Sequence, residues 1–487
     1  MDWKEKLKEL KRGLGATKPD STGDQGRPPP PAPALGGMPR AAQVRRYLCL
    51  GLDFGTSSTK AVVRLLPTGP AYAIPFAGFA ATDQPYLAPT RLGVTGAGVL
   101  TLSAPHGGGW VEDLKVKLMV GPWEAVPVYE HATLHARPVD LAAGYIALVL
   151  QKALAWCDKN VRPSLGTPDI AWQMNLGIPA RDFDATLIRE GFFVSALAGW
   201  QLAVEQGPPD LARAVKAVDA ARIGSFQPRG IAREMINVIP EVAAGVTTYA
   251  RSSQRRAGVH LFVDVGATTL DTSMFLLNAS QDELKYVFLA ADVDSQLGAL
   301  RLHRHRALGL GRLALARFVT SDPLRPIPAE VRDCIPPMEE MEALDSKFSD
   351  PCVVRVGRVI WEAKVKAPGD LSVPEKGRAE PIQVLLSGGG LRLPLYQEVI
   401  RESGRRAAPG GMQGLSVRPF QETPIPRPHD LLPGDLLPTD WQRLAIAYGL
   451  SYASEDIGEF VPPSAVDRLP PLPIRSKDDG FISKDQV

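Results

Sequence analysis

The chain has 487 residues, 45% hydrophobic and 22% charged, with a formal net charge of +2. That length supports two or more domains around a large core, and the near-balanced charge excludes the global field that nucleic acid or an anionic membrane would call for. The four cysteines, Cys49, Cys157, Cys334 and Cys352, are far apart and form no CxxC pair, so they read as reduced thiols and not as a disulfide framework or zinc site.

Residues 1–14 place Trp3, Leu7, Leu10 and Leu14 on one face of a helix, either a docking helix for a protein partner or a solvated terminus. The stretch is too charged for a signal peptide, and no apolar run reaches the ~18 residues a membrane span needs, so the expected location is the cytoplasm. Residues 15–42 are a Pro/Gly-rich linker. From Leu48 to Leu65 the sequence reads strand, Gly-containing turn, strand. The turn, Gly55-Thr56-Ser57-Ser58, can bring backbone N–H groups up to a phosphate, and Asp53 at the strand end can hold a hydrated Mg²⁺. Further strands are expected over 71–135, enclosing the segment WVEDLKVKLM.

Residues 139–159 have helical periodicity, 171–180 read as a strand, and 183–221 as helix broken at Gly207-Pro208-Pro209. Residues 236–252 end a strand, turn at Pro240 and open a helix. HLFVDVGATTLDTSMFLL, residues 260–277, repeats the opening pattern with Asp264, Gly266 and a hydroxyl-rich turn. Basic helices are expected over 292–320, where His303 and His305 fall on different faces and so form no metal pair. Residues 353–366 read as strand or helix, and 383–400 as strand, triple-glycine turn and helix. A loop is expected over 419–438, a helix over 441–454 and a disordered or draped Pro-rich tail over 456–487.

In this order the pieces resemble the actin-like ATPase superfamily, and within it the nucleotide-binding domain of heat-shock-70 chaperones. LGLDFGTSSTK is similar to that family's first phosphate loop. VDVGATTLD is similar to its second, with Ala267 and Thr268 where the family carries two glycines. LLSGGGLRLP resembles its adenosine loop, LGIPA and IPEVAAG its connecting segments, and EDLKVKLM the segment with its catalytic lysine.

The resemblance implies an α/β fold of two lobes, each a ribonuclease-H-like five-stranded mixed sheet flanked by helices, with nucleotide in the central cleft. Lobe I would span 43–255 and lobe II 256–440, with 441–455 returning to lobe I. ATP or ADP with Mg²⁺ would be the cofactor. Asp53 and Asp264 would hold the metal, through water. Gly55, Thr56, Ser57, Ser58, Gly266, Ala267, Thr268 and Thr269 would cradle phosphates, with Gly298 beside them. Lys115 would neutralise the transferred phosphoryl, and Glu241 or Asp271 would orient the attacking water. Gly388, Gly389, Gly390 and Arg392 would hold the adenosine, and Lys364 the ribose.

Read from the residues alone, the alternative for Lys115 and for Lys364 is a solvated surface lysine, and for Glu241 a carboxylate serving a helix dipole. The stretch after Ser454 is too short and Pro-rich for the family's peptide-binding sandwich, so peptide chaperoning is not carried over. Protein partners are expected at residues 1–14 or the Pro-rich tail. The expected function is a slow Mg-ATPase acting as a nucleotide switch, with a sugar-type kinase, a nucleotide-binding scaffold or a filament protein as alternatives.

Overall fold

A computed structural model describes residues 45–466, apart from 80–83, 130–133, 167–168, 206, 225–227, 280–283, 312–337, 375–378, 435 and 437. The expected docking helix, the linker and residues 467–487 of the tail lie outside the described residues.

Two mixed sheets organise the chain. The first is built from β1 (Arg46–Phe54), β2 (Ser58–Leu65), β3 (Ala71–Ala73), β4 (Ile170–Ile178) and β5 (Ile231–Pro240). β1, β2 and β3 form an antiparallel meander, while β4 lies parallel to β1 and β5 parallel to β4. The second is built from β6 (Gly258–Val265), β7 (Leu270–Ala279), β8 (Leu284–Asp294), β9 (Ile382–Ser387) and β10 (Phe420–Thr423). Here too the first three strands form a meander, β9 lies parallel to β6 and β10 parallel to β9. The spatial order is third, second, first, fourth, fifth in both, so one topology occurs twice.

The sheets are larger than the expected five strands. β11 (Leu431–Leu432) extends the first sheet beside β3, and Ala88–Pro89 pairs with β2, making seven strands. β12 (Glu459–Val461) extends the second beside β8, making six. The expected 419–438 loop therefore carries β10 and β11, each added to a different sheet. The expected tail is a strand at 459–461 because Phe460 packs on Tyr286 and Phe183, with ring centroids 5.9 and 6.1 Å apart. β8 was hidden by reading residues 292–320 as helical throughout; its end, through Asp294, is strand, and helix begins only at Ala299.

The central strands read as near-continuous apolar runs because both faces are covered. Leu48, Leu50, Leu52 and Phe54 of β1 are all buried, as are Leu261, Phe262, Val263 and Val265 of β6. Burying each such side chain contributes roughly 1.5–3 kcal/mol. Behind the first sheet lie α1 (Leu114–Val120), α2 (Pro138–Asn160), α3 (Thr186–Val204) and α4 (Leu211–Ile223). α2 starts at Pro138, where Asp140 Oδ2 accepts from the Arg137 amide at 3.1 Å. It is the one described helix long and apolar enough to cross a membrane, and 67% of its apolar window is buried inside the protein. Asp210 caps α4 and Gly224 ends it in the left-handed conformation.

α5 (Glu241–Gly245) and α9 (Pro438–Leu450) cross between the sheets. Small residues permit the approach. A Cβ on Gly449 would lie 1.9 Å from the Ala244 carbonyl, and one on Gly51 of β1 would lie 2.3 Å from that of Ala447. Covering the second sheet are α6 (Ala299–Gly309), α7 (Met338–Lys366) and α8 (Pro394–Ala407). Residues 353–366 are thus helix, the last half of a 29-residue element.

Candidate nucleotide cleft

Both hairpins place an acidic residue at the end of the strand that leads into the turn. Asp53 is the penultimate residue of β1, opposite Lys60 of β2, and Asp264 the penultimate residue of β6, opposite Asp271 of β7 and beside Ser387 of β9. These strand ends, the start of α5, α1 and the glycine turn after β9 line one cavity of about 270 Å³. That is close to the lower bound of ~300 Å³ typical of ligand sites.

Of the residues expected from sequence, Asp53, Gly55, Thr56, Ser57, Ser58, Lys115, Glu241, Asp264, Gly266, Ala267, Thr269, Asp271, Gly388, Gly389 and Gly390 all line it. They come from five separate stretches of the chain.

The turn after β6 has a defined polarity. The carbonyls of Gly266, Ala267 and Thr268 accept in succession from the amides of Ala299, Leu300 and Gly298, over 3.0, 2.7 and 3.0 Å. A trans peptide points its N–H opposite to its C=O, so the amides of Ala267, Thr268 and Thr269 point away from α6. Three successive amides directed to one side form an anion nest. The absent glycines leave this geometry intact, since each substituted residue keeps its N–H.

The third turn is a cradle that side chains would fill. Gly388 has φ +91°, and a Cβ there would lie 2.4 Å from the Val265 carbonyl and 2.7 Å from Asp264 Oδ1. One on Gly390 would lie 2.3 Å from Val265 Cγ1.

Charge in the cleft is concentrated and internally paired. Lys115 Nζ donates to Glu241 Oε1 at 2.6 Å, and Lys60 Nζ donates to Asp53 Oδ2 at 3.0 Å. Burial works against the Lys115 ammonium, but Glu241, Asp271 and Asp53 around it hold it protonated, above the ordinary lysine range. Burial pushes the Glu241 carboxyl up, against the pull of Lys115. Burial also raises Asp264, against the hydrogen bond from Ser387 and with the Asp53 charge adding to it. Asp271 is pushed up to about 8, by burial first, against the pull of Lys115 and with Asp264 and Glu241 adding. Among the described residues its Oδ1 has no hydrogen-bond partner. Behind Asp264 and Asp271, beside Glu241 and Asp292, a second chamber of about 10 Å³ is large enough for one water.

Three expected contacts are corrected. Lys364, near the end of α7, does not line the cleft; its ammonium is taken by Ser372 Oγ and by the Pro368 carbonyl at 3.3 Å, where it caps its own helix. Gly298 lies behind the second turn, where a Cβ would lie 2.3 Å from the Thr268 carbonyl carbon; it lets α6 approach and does not face the cavity. Thr268 does not line the cavity either, and among the described residues its buried hydroxyl has no hydrogen-bond partner. The Arg392 side chain lies outside the described residues.

The sequence reading missed Lys60, Ser387, His303, Gln442 and Arg443, which all face the cavity. Lys60 was accessible from the hairpin register, seven residues after Asp53 across a short turn. Gln442 and Arg443 carried no signal, because their position depends on where α9 crosses the sheets.

No model of a known protein family matches the chain, and no curated protein matches it.

Proposed function

We propose that the chain has the actin-like ATPase fold and binds Mg-ATP in this cleft as a slow, heat-shock-70-like ATPase, a nucleotide switch read by protein partners. The observation that carries the reading is the doubled topology. Two sheets of identical strand order each deliver an Asp at the end of the first strand, and the two aspartates meet in one cavity.

The residues fit a metal–nucleotide. The amides of the second turn suit phosphate, the glycine turn leaves room for a flat ring, and carboxylate oxygens suit a hard cation. Among the described residues no group of three His, Cys, Asp or Glu side chains is arranged to hold a metal by itself. Mg²⁺ keeps most of its waters and binds through one or two carboxylates together with phosphates, which Asp53 and Asp264 can provide. The bound cation would neutralise phosphate charge. Lys115 adds a second positive charge to the cleft, and Glu241 and Asp271 flank the water-sized chamber from which a nucleophile can be oriented.

The same cleft also suits a scaffold that binds nucleotide without turnover. ADP release from ATP by purified protein separates the two. Slow, Mg-dependent turnover lost in Asp53→Ala and Asp264→Ala supports the ATPase; stimulation by a polyol or sugar would replace it with the kinase reading. Binding without turnover supports the scaffold.

A further inference from the structure

The carboxylate proposed for the metal already holds a cation. Lys60 Nζ lies 3.0 Å from Asp53 Oδ2, and the two side chains are only 15% and 5% exposed. The pair is built into the hairpin, because Asp53 and Lys60 face each other across β1 and β2. Lys60 Nζ is also set against the first turn: a Cβ on Gly55 would lie 3.2 Å from it. The ammonium thus sits between the metal carboxylate and the loop proposed to cradle phosphate.

The rest of the cleft repeats the arrangement. Lys115 occupies Glu241, leaving Asp264 and Asp271 as the cleft carboxylates without an ion-paired lysine among the described residues. A divalent ion arriving alone must displace an ammonium from Asp53 and leave it unpaired in a mostly buried position, which is unfavourable. A divalent ion arriving on a polyphosphate brings the new partner with it. The displaced Lys60 has three freely rotating donors and a flexible stem, and lies next to the phosphate turn.

We infer that Lys60 is an internal counter-cation of the metal site. It keeps Asp53 from binding bare divalent metal and passes to phosphate when metal and nucleotide enter together, so that the two bind interdependently. This rests on the Mg-nucleotide reading of the cleft. It predicts opposite signs for two affinities on removing one positive charge, which a merely structural lysine would not produce.

The test is Lys60→Met, with Lys60→Arg as the charge-retaining control, in the full chain. Free Mn²⁺ is titrated by electron paramagnetic resonance without nucleotide, and Mg-ATP by calorimetry. For Lys60→Met the expectation is Mn²⁺ binding about tenfold tighter than wild type and Mg-ATP binding about tenfold weaker, each some 1.4 kcal/mol. Lys60→Arg should keep both near wild type. If Lys60→Met weakens both, or leaves Mn²⁺ affinity unchanged while Mg-ATP still binds wild type, the counter-cation role is overturned and the nucleotide reading stands. If wild type binds no Mg-ATP, the nucleotide reading itself falls, and this inference with it.

Discussion

Lys115 Nζ donates to Glu241 Oε1 across 2.6 Å, joining α1 to the first residue of α5 with both side chains buried. The two halves of this pair should not be equivalent. Glu241→Ala leaves an ammonium buried, and breaking a buried pair this way costs about 3–5 kcal/mol; Asp53 near Lys115 should place the loss at the low end. Lys115→Met leaves carboxyls that burial already pushes up and that can take protons. Its cost should be small at pH 6 and grow by pH 8.5. Urea unfolding of both variants at the two pH values checks this; equal, pH-independent losses would mean the pair is not the charge centre of the cleft.

Asp271 gives a second pH signature. Its folded pKa is raised to about 8, whereas an unperturbed aspartate titrates near ~3.9. The folded chain therefore holds a proton that the unfolded chain has lost. The stabilisation this represents is full below the unfolded value and disappears as pH rises through 8. Asp271→Asn cannot titrate, so in ligand-free protein its melting temperature relative to wild type should rise between pH 5 and pH 8. A constant difference would show that Asp271 is ionised throughout.

Much of the cleft was legible because hairpins are local. An apolar run, an Asp, a Gly and hydroxyls, and a second apolar run fix strand ends without tertiary information, which is why Asp53 and Asp264 could be singled out. The edge strands β10, β11 and β12 were not legible. They are two to four residues long, sit among prolines, and are strands only because a sheet edge accepts their backbone. Lys364 failed for a related reason: the Pro368 carbonyl and Ser372, just past the end of α7, take the ammonium, and sequence spacing does not reveal that competition.

Glycine substitutions should separate the cleft from the scaffold. Gly388→Ala meets both positive φ and a carbonyl 2.4 Å from the new methyl, so Mg-ATP affinity should fall at least about tenfold, together with a stability loss of about 1–3 kcal/mol. Gly449→Ala drives a methyl to 1.9 Å from the Ala244 carbonyl where α5 crosses α9, and should destabilise the fold as severe overpacking does, by about 1–3 kcal/mol or more. Gly107→Ala, at φ +62° with nothing within 4 Å, is the control and should cost only backbone strain, about 1 kcal/mol. Thermal melts and nucleotide titrations of the three should fall in that pattern; normal nucleotide binding by Gly388→Ala would remove the glycine turn from the site.

His260 should govern acid stability away from the cleft. It is fully buried against Phe275, its Nε2 faces the Tyr249 hydroxyl at 3.1 Å and its Nδ1 the Gly258 carbonyl at 2.9 Å. Burial lowers its pKa to about 4, against the raising effect of the Gly258 carbonyl. The unfolded chain takes up a proton from about pH 6.5 downward while the folded chain does not, so stability is lost as pH falls from 6.5 towards 4, on the order of 3 kcal/mol in all. His260→Phe should flatten that part of the profile in denaturant titrations. An unchanged slope would assign acid sensitivity to other groups.

The decisive measurement is calorimetric titration of Mg-ATP into the full chain and into the Asp53→Ala/Asp264→Ala double variant, with circular dichroism verifying that both are folded. Wild type should bind one Mg-ATP per chain, and the double variant should lose Mg-dependent affinity while remaining folded. Absence of binding by wild type, or equal binding by a folded double variant, would contradict the assignment of this cleft.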